Sequence, residues 1–412
     1  MVVHCYTWIL SLFRQIIHDH NHSVDIHVDY FANLADDIVI DIISRLPEAT
    51  LSQCRNVCRR WRMLTSSPRL VELYHTRAKP ATLMYVGALH PEIFIIDEKS
   101  RVESCETREI EVLRALAVSF NLVLISSCNG FVLLHASQAP CPLYYVFNPF
   151  SRGKIKTICG RHWQDVPCGL FFHPTANEYI VLFASSSSKK ETKSYEYHMY
   201  LLGAKKWRLM VANFHQAPNN ASPAIANRCL YWSIRGTNIL VFDIINEKFL
   251  NKPVPSERSC CKLRTLELTQ DLSVKEGDLC FFSVRIEDTV MDIWVLEDNA
   301  NWVWSKRYSV NLKWGAEKNP VAVGGSVHRG LDFCFCDAKV ICIHKDELTL
   351  YWNHIGLLSY NLRLHKIKKI RVKVKLKAFG DSKRPCAYDD GIGNRYGCYC
   401  NYMSYTKGLA TL

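Results

Sequence analysis

FANLADDIVIDIISRLPEATLSQCRNVCRRWRMLTSSPRLVELYHTR, Phe31 to Arg77, carries three short helical patterns in 47 residues. In the first, about Asp36 to Leu46, Ile38, Ile42 and Leu46 fall at i, i+4 and i+8 on one face. Val39 and Ile43 form a second apolar stripe beside them. A helix this short with two apolar faces is expected to bury one in its own domain and the other in a partner. Pro47 ends it. Thr50 with Gln53 fits a capping box, so the second pattern starts there and runs through Leu51, Cys54, Val57, Cys58, Trp61 and Leu64. Ser67-Pro68 reads as an N-cap with an N1 proline, opening a third helix with Leu70, Val71, Leu73 and Tyr74. A stretch of this length holds too little core to stand alone.

Beyond Thr82 the period changes. Met84–Val86, Ile93–Ile96, Leu122–Ile125 and Gly130–Leu134 are short apolar runs that read as strands. Arg108–Ala117 is the one candidate helix there, and Ala78-Lys79-Pro80 marks the boundary. A strand–turn–strand unit then recurs: Tyr144–Ile158, His198–Met210, Ile239–Pro253, Asp292–Tyr308 and Leu357–Val372. Other strands lie between, at Tyr179–Phe183, Arg228–Ser233, Leu279–Val284 and Glu347–Tyr351. A repeat of about 40 to 65 residues with roughly four strands per unit suits a β-propeller, in which ring closure protects the edges. A β-sandwich decorated with hairpins is the alternative. The expected fold class is α+β multidomain: a small all-α N-terminal domain and a mainly-β domain.

The 412 residues set a prior of two or three domains, and 48% hydrophobic with 22% charged residues describes a globular chain. A net charge of +12 permits nucleic acid, an anionic membrane surface or acidic proteins as partners, but no nucleic-acid motif accompanies it. The apolar run Trp8–Phe13 lacks a basic flank and a small-residue cleavage site, and no run reaches membrane-spanning length. The 18 cysteines are then expected to be mostly reduced, small buried hydrophobes in a protein of the cytosol or nucleus.

Several clusters invite chemistry. His18-Asp19-His20-Asn21-His22 could gather metal ligands, but nothing fixes their geometry, and residues 1–29 read as a polar tail. Cys334, Cys336, Cys342 and His344 suggest zinc, yet C-x-C bends poorly around one ion, so alternating core thiols are expected there and at Cys398 and Cys400. Cys260-Cys261 are adjacent and cannot readily ligate together, and Gly324-Gly325 reads as a bend between strands. No nucleophile elbow, P-loop or H-E-x-x-H occurs. Alternation from Ile370 to Lys377 within the run Lys366–Lys377 reads as a half-buried strand whose lysines block edge pairing; an acidic-partner site is the other reading.

The first stretch resembles the F-box of plant F-box proteins. The resemblance rests on Leu34, Asp36 and Ile38, then Arg45-Leu46-Pro47, Leu51, Val57-Cys58, Trp61, Leu64 and Pro68. The family usually opens with Leu-Pro; here Leu34 is followed by Ala35, which removes a rigid helix start. The later repeats resemble the F-box-associated, kelch-like domain. Phe147-Asn148-Pro149 with Ser151, Gly169–Pro174 before Glu178-Tyr179, Leu230-Tyr231-Trp232 before Ile239–Asp243 with Glu247 and Phe249, and Ile293–Leu296 before Trp304 carry that likeness. The organisation expected is a tail at 1–29, an F-box at 30–78, a propeller-like domain at 80–395 and a C-terminal tail at 396–412.

The resemblance implies a non-catalytic substrate-recognition subunit of an SCF-type cullin-RING ubiquitin ligase. A Skp-type adaptor, and through it cullin and RING subunits, would bind Leu34, Ile38, Ile42, Leu46, Pro47, Leu51, Val57 and Trp61. The β domain would hold a target protein for ubiquitination and degradation. No cofactor, metal, nucleic acid or membrane is implied. Alternatives are an enzyme with a propeller active site, or an F-box protein that no longer binds the adaptor.

Overall fold

A computed structural model of the chain describes residues 34–46, 51, 54, 56, 58–77, 81–87, 92–96, 102–104, 122–136, 139, 141–149, 155–187, 194–214, 218, 222–234, 238–255, 270–285, 290–312, 338–352, 356–370 and 399–405. The chain divides into two compact units between Lys79 and Pro80.

The first unit contains α1 (Asp36–Ile43), α2 (Arg59–Thr65) and α3 (Pro68–Arg77). Ala35 stands at the N-cap of α1 in extended conformation and offers no side-chain acceptor. The start is secured from elsewhere: Arg60 on α2 donates to the Leu34 carbonyl and, through Nε at 2.9 Å, to Asp36. The second helical pattern does not run unbroken from Thr50. Cys58 is extended (φ −156°), and its Sγ accepts from the Trp61 N–H at 3.4 Å, starting α2 afresh. Ser67 Oγ accepts from Leu70 N–H at 3.2 Å, the N-cap of α3. Val39, Ile40, Ile43, Leu51, Cys54, Trp61, Leu64, Leu70 and Tyr74 form the core of this unit. Arg77 closes it by pairing with Asp41 at 2.5 Å, and the Arg77 and Arg45 hydrogen bonds hold the Asp41 carboxyl below its ordinary range.

The second unit is built, among the described residues, of six four-stranded antiparallel sheets. In chain order, β1 (Ala81–Gly87), β2 (Glu92–Ile96) and β3 (Val102–Ser104) open the first sheet. The second holds β4 (Leu122–Cys128), β5 (Phe131–Ala136), β6 (Leu143–Phe147) and β7 (Lys156–Cys159). The third holds β8 (Asp165–His173), β9 (Glu178–Ser187), β10 (Ser194–Leu201) and β11 (Lys206–Phe214). The fourth holds β12 (Ala224–Ala226), β13 (Cys229–Ile234), β14 (Asn238–Asp243) and β15 (Lys248–Pro253). The fifth holds β16 (Gln270–Lys275), β17 (Asp278–Arg285), β18 (Val290–Asp298) and β19 (Val303–Asn311). The sixth holds β20 (Ala338–His344), β21 (Glu347–Trp352), β22 (Gly356–Asn361) and β23 (Lys366–Lys369). Last comes β24 (Tyr399–Tyr405), which returns to pair antiparallel with β1 from Ala81↔Tyr405 to Gly87↔Tyr399.

Successive innermost strands lie side by side: β4 by β8, β12 by β16, β16 by β20, β20 by β24, and β24 by β4. The sheets therefore close into a ring, a six-bladed β-propeller, and the first blade is completed by the end of the chain. Residues 396–412, expected to be a tail, contain the strand that closes the ring, because β1 otherwise presents a row of unpaired backbone groups. The α+β expectation also shifts: among the described residues three short helices stand against 24 strands, and the structure is mainly β. Residues 1–29, Arg108–Ala117, Cys260-Cys261, Gly324-Gly325, Cys334, Cys336, Cys398 and Arg371–Lys377 lie outside the described residues, as does the Thr50–Gln53 capping box.

Each recurring unit of the sequence is the outer hairpin of a blade, and the strands between units are second strands. The hairpins turn in one way. Asp243 Oδ1 accepts from Ile245 and Asn246 N–H, both at 2.9 Å, Asp298 Oδ1 from Ala300 and Asn301, and Asn361 Oδ1 from Arg363 and Leu364. In the third blade Leu201 has no acceptor, and Glu178 on β9 supplies it to Gly203 and Ala204 N–H at 3.0 and 3.2 Å. Each turn ends on a left-handed residue: Lys205, Glu247, Trp302 and His365, with φ between 51° and 57°. The inner hairpins of three blades use two-residue turns with both φ positive, Asn129-Gly130, Asn227-Arg228 and Glu276-Gly277, which match strand twist.

Apolar side chains fill the space between blades. Phe171, Met199 and Tyr197 of the third blade share a cluster with Leu230, Trp232, Leu240 and Phe242 of the fourth. Trp232 Nε1–H donates to the Cys168 carbonyl at 3.0 Å across that junction.

Candidate functional surfaces: the helical unit and the rim of the ring

On α1 the two apolar stripes separate. Val39 and Ile43 are fully buried, whereas Ile38, one residue away, is 49% exposed. Ile42, Leu34 and Leu46 are half-buried, and Leu34 and Leu46 pack against the core margin. Met63 on α2 adds a second exposed apolar side chain at 62%. Two residues expected to face an adaptor do not: Leu51 and Trp61 are core residues, 3% and 5% exposed. They are large and apolar, and they pack with Val39, Ile43, Leu64, Leu70 and Tyr74 in the small core between the described helices. Pro47 and Val57 lie outside the described residues. The structure thus brings together Leu34, Ile38, Ile42 and Leu46 on or beside one helix, with Ile38 the outermost.

The ring has two unlike rims. Blades turn from first to second strand, and from third to fourth, at the same end, with connections of two to four residues in most cases, such as 276–277 and 299–302. Inter-blade connections leave from the opposite end, and four of them are long: 105–121, 254–269, 312–337 and 370–398. Antiparallel order forces this segregation, since alternate connections of a four-stranded sheet share one end. The chain enters β1, the second strand of its blade, at the short-turn rim.

The shortest inter-blade connection, 160–164, is fully described and tightly held. Gly160 N–H donates to the Pro142 carbonyl at 2.8 Å, and the buried Asp165 carboxylate accepts from Arg161 and His162 N–H at 3.1 and 2.9 Å. A Cβ at Gly160 would lie 2.8 Å from Pro142 Cβ. Upon this frame Trp163 stands 63% exposed.

Among the described residues four thiols of the blades are buried. Burial pushes the thiols of Cys128 and Cys280 up to about 12, and those of Cys168 and Cys342 upward too, so they stay protonated at neutral pH. Cys342 sits on β20 among Thr82 and Thr349, in the role of a small core residue. Along β23, Lys366, Lys368 and Lys369 are exposed on an outer edge strand, as edge-blocking lysines are, and Ile370 after it is buried. No described helix is long and apolar enough to cross a membrane.

Nothing in the sequence singled out Arg161, Asp165 and His198, which meet only when β7, β8 and β10 pack. The final strand, Tyr399–Tyr405, had no period-2 signal: its tyrosines fall three residues apart, beside a Gly-rich stretch.

Comparison with known proteins agrees with both units. Residues 31–73 match the F-box-like family, and residues 92–386 match the F-box associated beta propeller domain. An F-box protein of Arabidopsis thaliana is 26% identical over 377 residues, covering 82% of this chain and 87% of its own. A second F-box protein of that plant is 23% identical over 308 residues, 68% of this chain and 70% of its own. F-box only protein 12, also from Arabidopsis thaliana, is 25% identical over 287 residues, 66% of this chain and 61% of its own. With most of its length matched by the propeller family and its helical unit by the F-box-like one, this chain belongs to the F-box proteins that carry an F-box associated β-propeller domain.

Proposed function

We propose that the protein is a non-catalytic substrate receptor of an SCF-type cullin-RING ubiquitin ligase. The observation that carries this reading is the helical unit at 31–73, which matches the F-box-like family and leaves Ile38 and Met63 outside its own core. Apolar side chains held out on a well-packed unit favour a partner that covers them, and the Skp-type adaptor is that partner. Cullin and RING subunits join through the adaptor. The propeller holds the target at its long-connection rim, away from the end at which the chain enters the ring. The gain in rate is one of effective concentration: the target lysine is kept near a ubiquitin-charged enzyme bound elsewhere in the assembly. The protein works in the cytoplasm or nucleus, where adaptor and cullin are met.

Co-expression of the full chain with a Skp-type adaptor tests it. A stoichiometric complex that survives size-exclusion chromatography is expected. A folded, monomeric receptor that elutes apart from the adaptor would overturn the reading.

A further inference from the structure

His198 on β10 is 4% exposed, and its Nδ1 lies 2.9 Å from Nη1 of Arg161, on the connection that carries Trp163. A guanidinium can only donate, so His198 Nδ1 must accept and its proton sits on Nε2. The contact therefore exists only with a neutral imidazole. The groups facing His198 are Arg161 and His162 from the connection, Asp165 from β8 and Glu196 from its own strand. Its cross-strand partners, Phe183 on β9 and Leu209 on β11, carry no charge. Burial first, then the Arg161 charge, lowers the imidazole's affinity for a proton, and Asp165 and Glu196 only partly offset this.

We propose that Arg161 and His198 form a proton-sensitive latch that fixes the 160–164 connection, and with it the exposed Trp163 indole, and that opens when His198 takes a proton. Protonation places a donor where Arg161 donates and sets two cations side by side at a part-buried contact. The guanidinium must leave, and the turn then rests on the Asp165 carboxylate and the Gly160–Pro142 backbone hydrogen bond. Because His198 is depressed in the closed form, the latch is complete above the ordinary value of 6.5 and weakens as pH falls below it. The latch stands whatever the propeller binds.

Hydrogen exchange of the Arg161 and His162 amides, corrected for intrinsic pH dependence, reads the opening. If the open form binds the proton with an ordinary imidazole affinity, lowering pH from 7.5 to 5.5 should raise the opening equilibrium by up to about tenfold. His198→Asn offers an acceptor near the Nδ1 position that does not titrate, and should abolish that rise. Arg161→Met changes an exposed side chain and tests the same contact independently of how well the histidine site tolerates Asn. It should be open already at pH 7.5 and show no further rise. Equal protection of the wild type at both pH values would overturn the latch. So would a wild-type pH response retained in Arg161→Met.

Discussion

Ile38 and Val39 are neighbours of like chemistry with opposite fates, and the difference is a rotation of about 100° around α1. Val39 lies in the core, and Ile38 stands 49% exposed. Ile38→Asp is expected to leave folding within about 0.5 kcal/mol of the parent, as surface substitutions do. It should weaken adaptor binding ~100-fold, the loss of an apolar anchor worth ~2 kcal/mol or more plus a desolvated charge. Ile43→Asp, by contrast, places a charge in a fully buried site and should unfold the helical unit. Circular dichroism and adaptor pull-down on both variants separate the two; equal adaptor recovery from wild type and Ile38→Asp would refute the assignment. In the ring, Trp232→Phe removes the indole N–H that donates to the Cys168 carbonyl while keeping an aromatic ring. A loss of roughly 1–3 kcal/mol in chemical denaturation is expected.

The outer hairpins show how an element is fixed by a side chain that never enters the core. Asp243, Asp298 and Asn361 each accept from two turn N–H groups, and Glu178 does so for the third blade from an adjoining strand. Since Asn does this work at 361, Asp298→Asn keeps both backbone acceptances and loses only the Asn301 side-chain bond, so it should lower the melting temperature less than Asp298→Ala. The Asn301 backbone N–H, then its side chain, holds the Asp298 carboxyl below its ordinary range. The ionised acceptor therefore contributes stability above the ordinary value near 3.8, lost as pH falls through the folded one. Melting curves from pH 7 to pH 3 should show this decline in the wild type and less of it in Asp298→Asn. Glu247, which closes one such turn, also reaches Arg208 Nη1 at 2.9 Å and His173 Nε2 at 3.4 Å, tying the fourth blade to the third.

At the scale of the molecule, the ring depends on its last strand. β24 pairs with β1 over seven residue pairs and lies between β20 and β4. Truncation after residue 397 should leave β1 as an open edge and remove the innermost contacts of the first blade with the sixth and second blades. Soluble yield should fall sharply, with aggregates in light scattering and loss of a single cooperative melt, because an exposed edge strand templates pairing between chains. A monomeric truncated protein with an unchanged melting temperature would show that the ring closes without this strand.

Periodicity alone settled the split into a helical unit and a repeating β unit, and the strand–turn–strand units already located the outer hairpins, because turn chemistry is local. The two stripes of α1 were likewise legible, since a helix of fixed pitch sorts its side chains by position. Which stripe faces inward was not: Leu51 and Trp61 became core, and Ile38 was left outside, only once α2 and α3 had packed against α1. Ring closure and the Arg161–His198 contact are of the same kind. Tyr399–Tyr405 pairs with a strand more than 300 residues earlier, and Arg161 meets a histidine 37 residues away. Short-range pattern carries no record of such partners; the register of the packed sheets decides them.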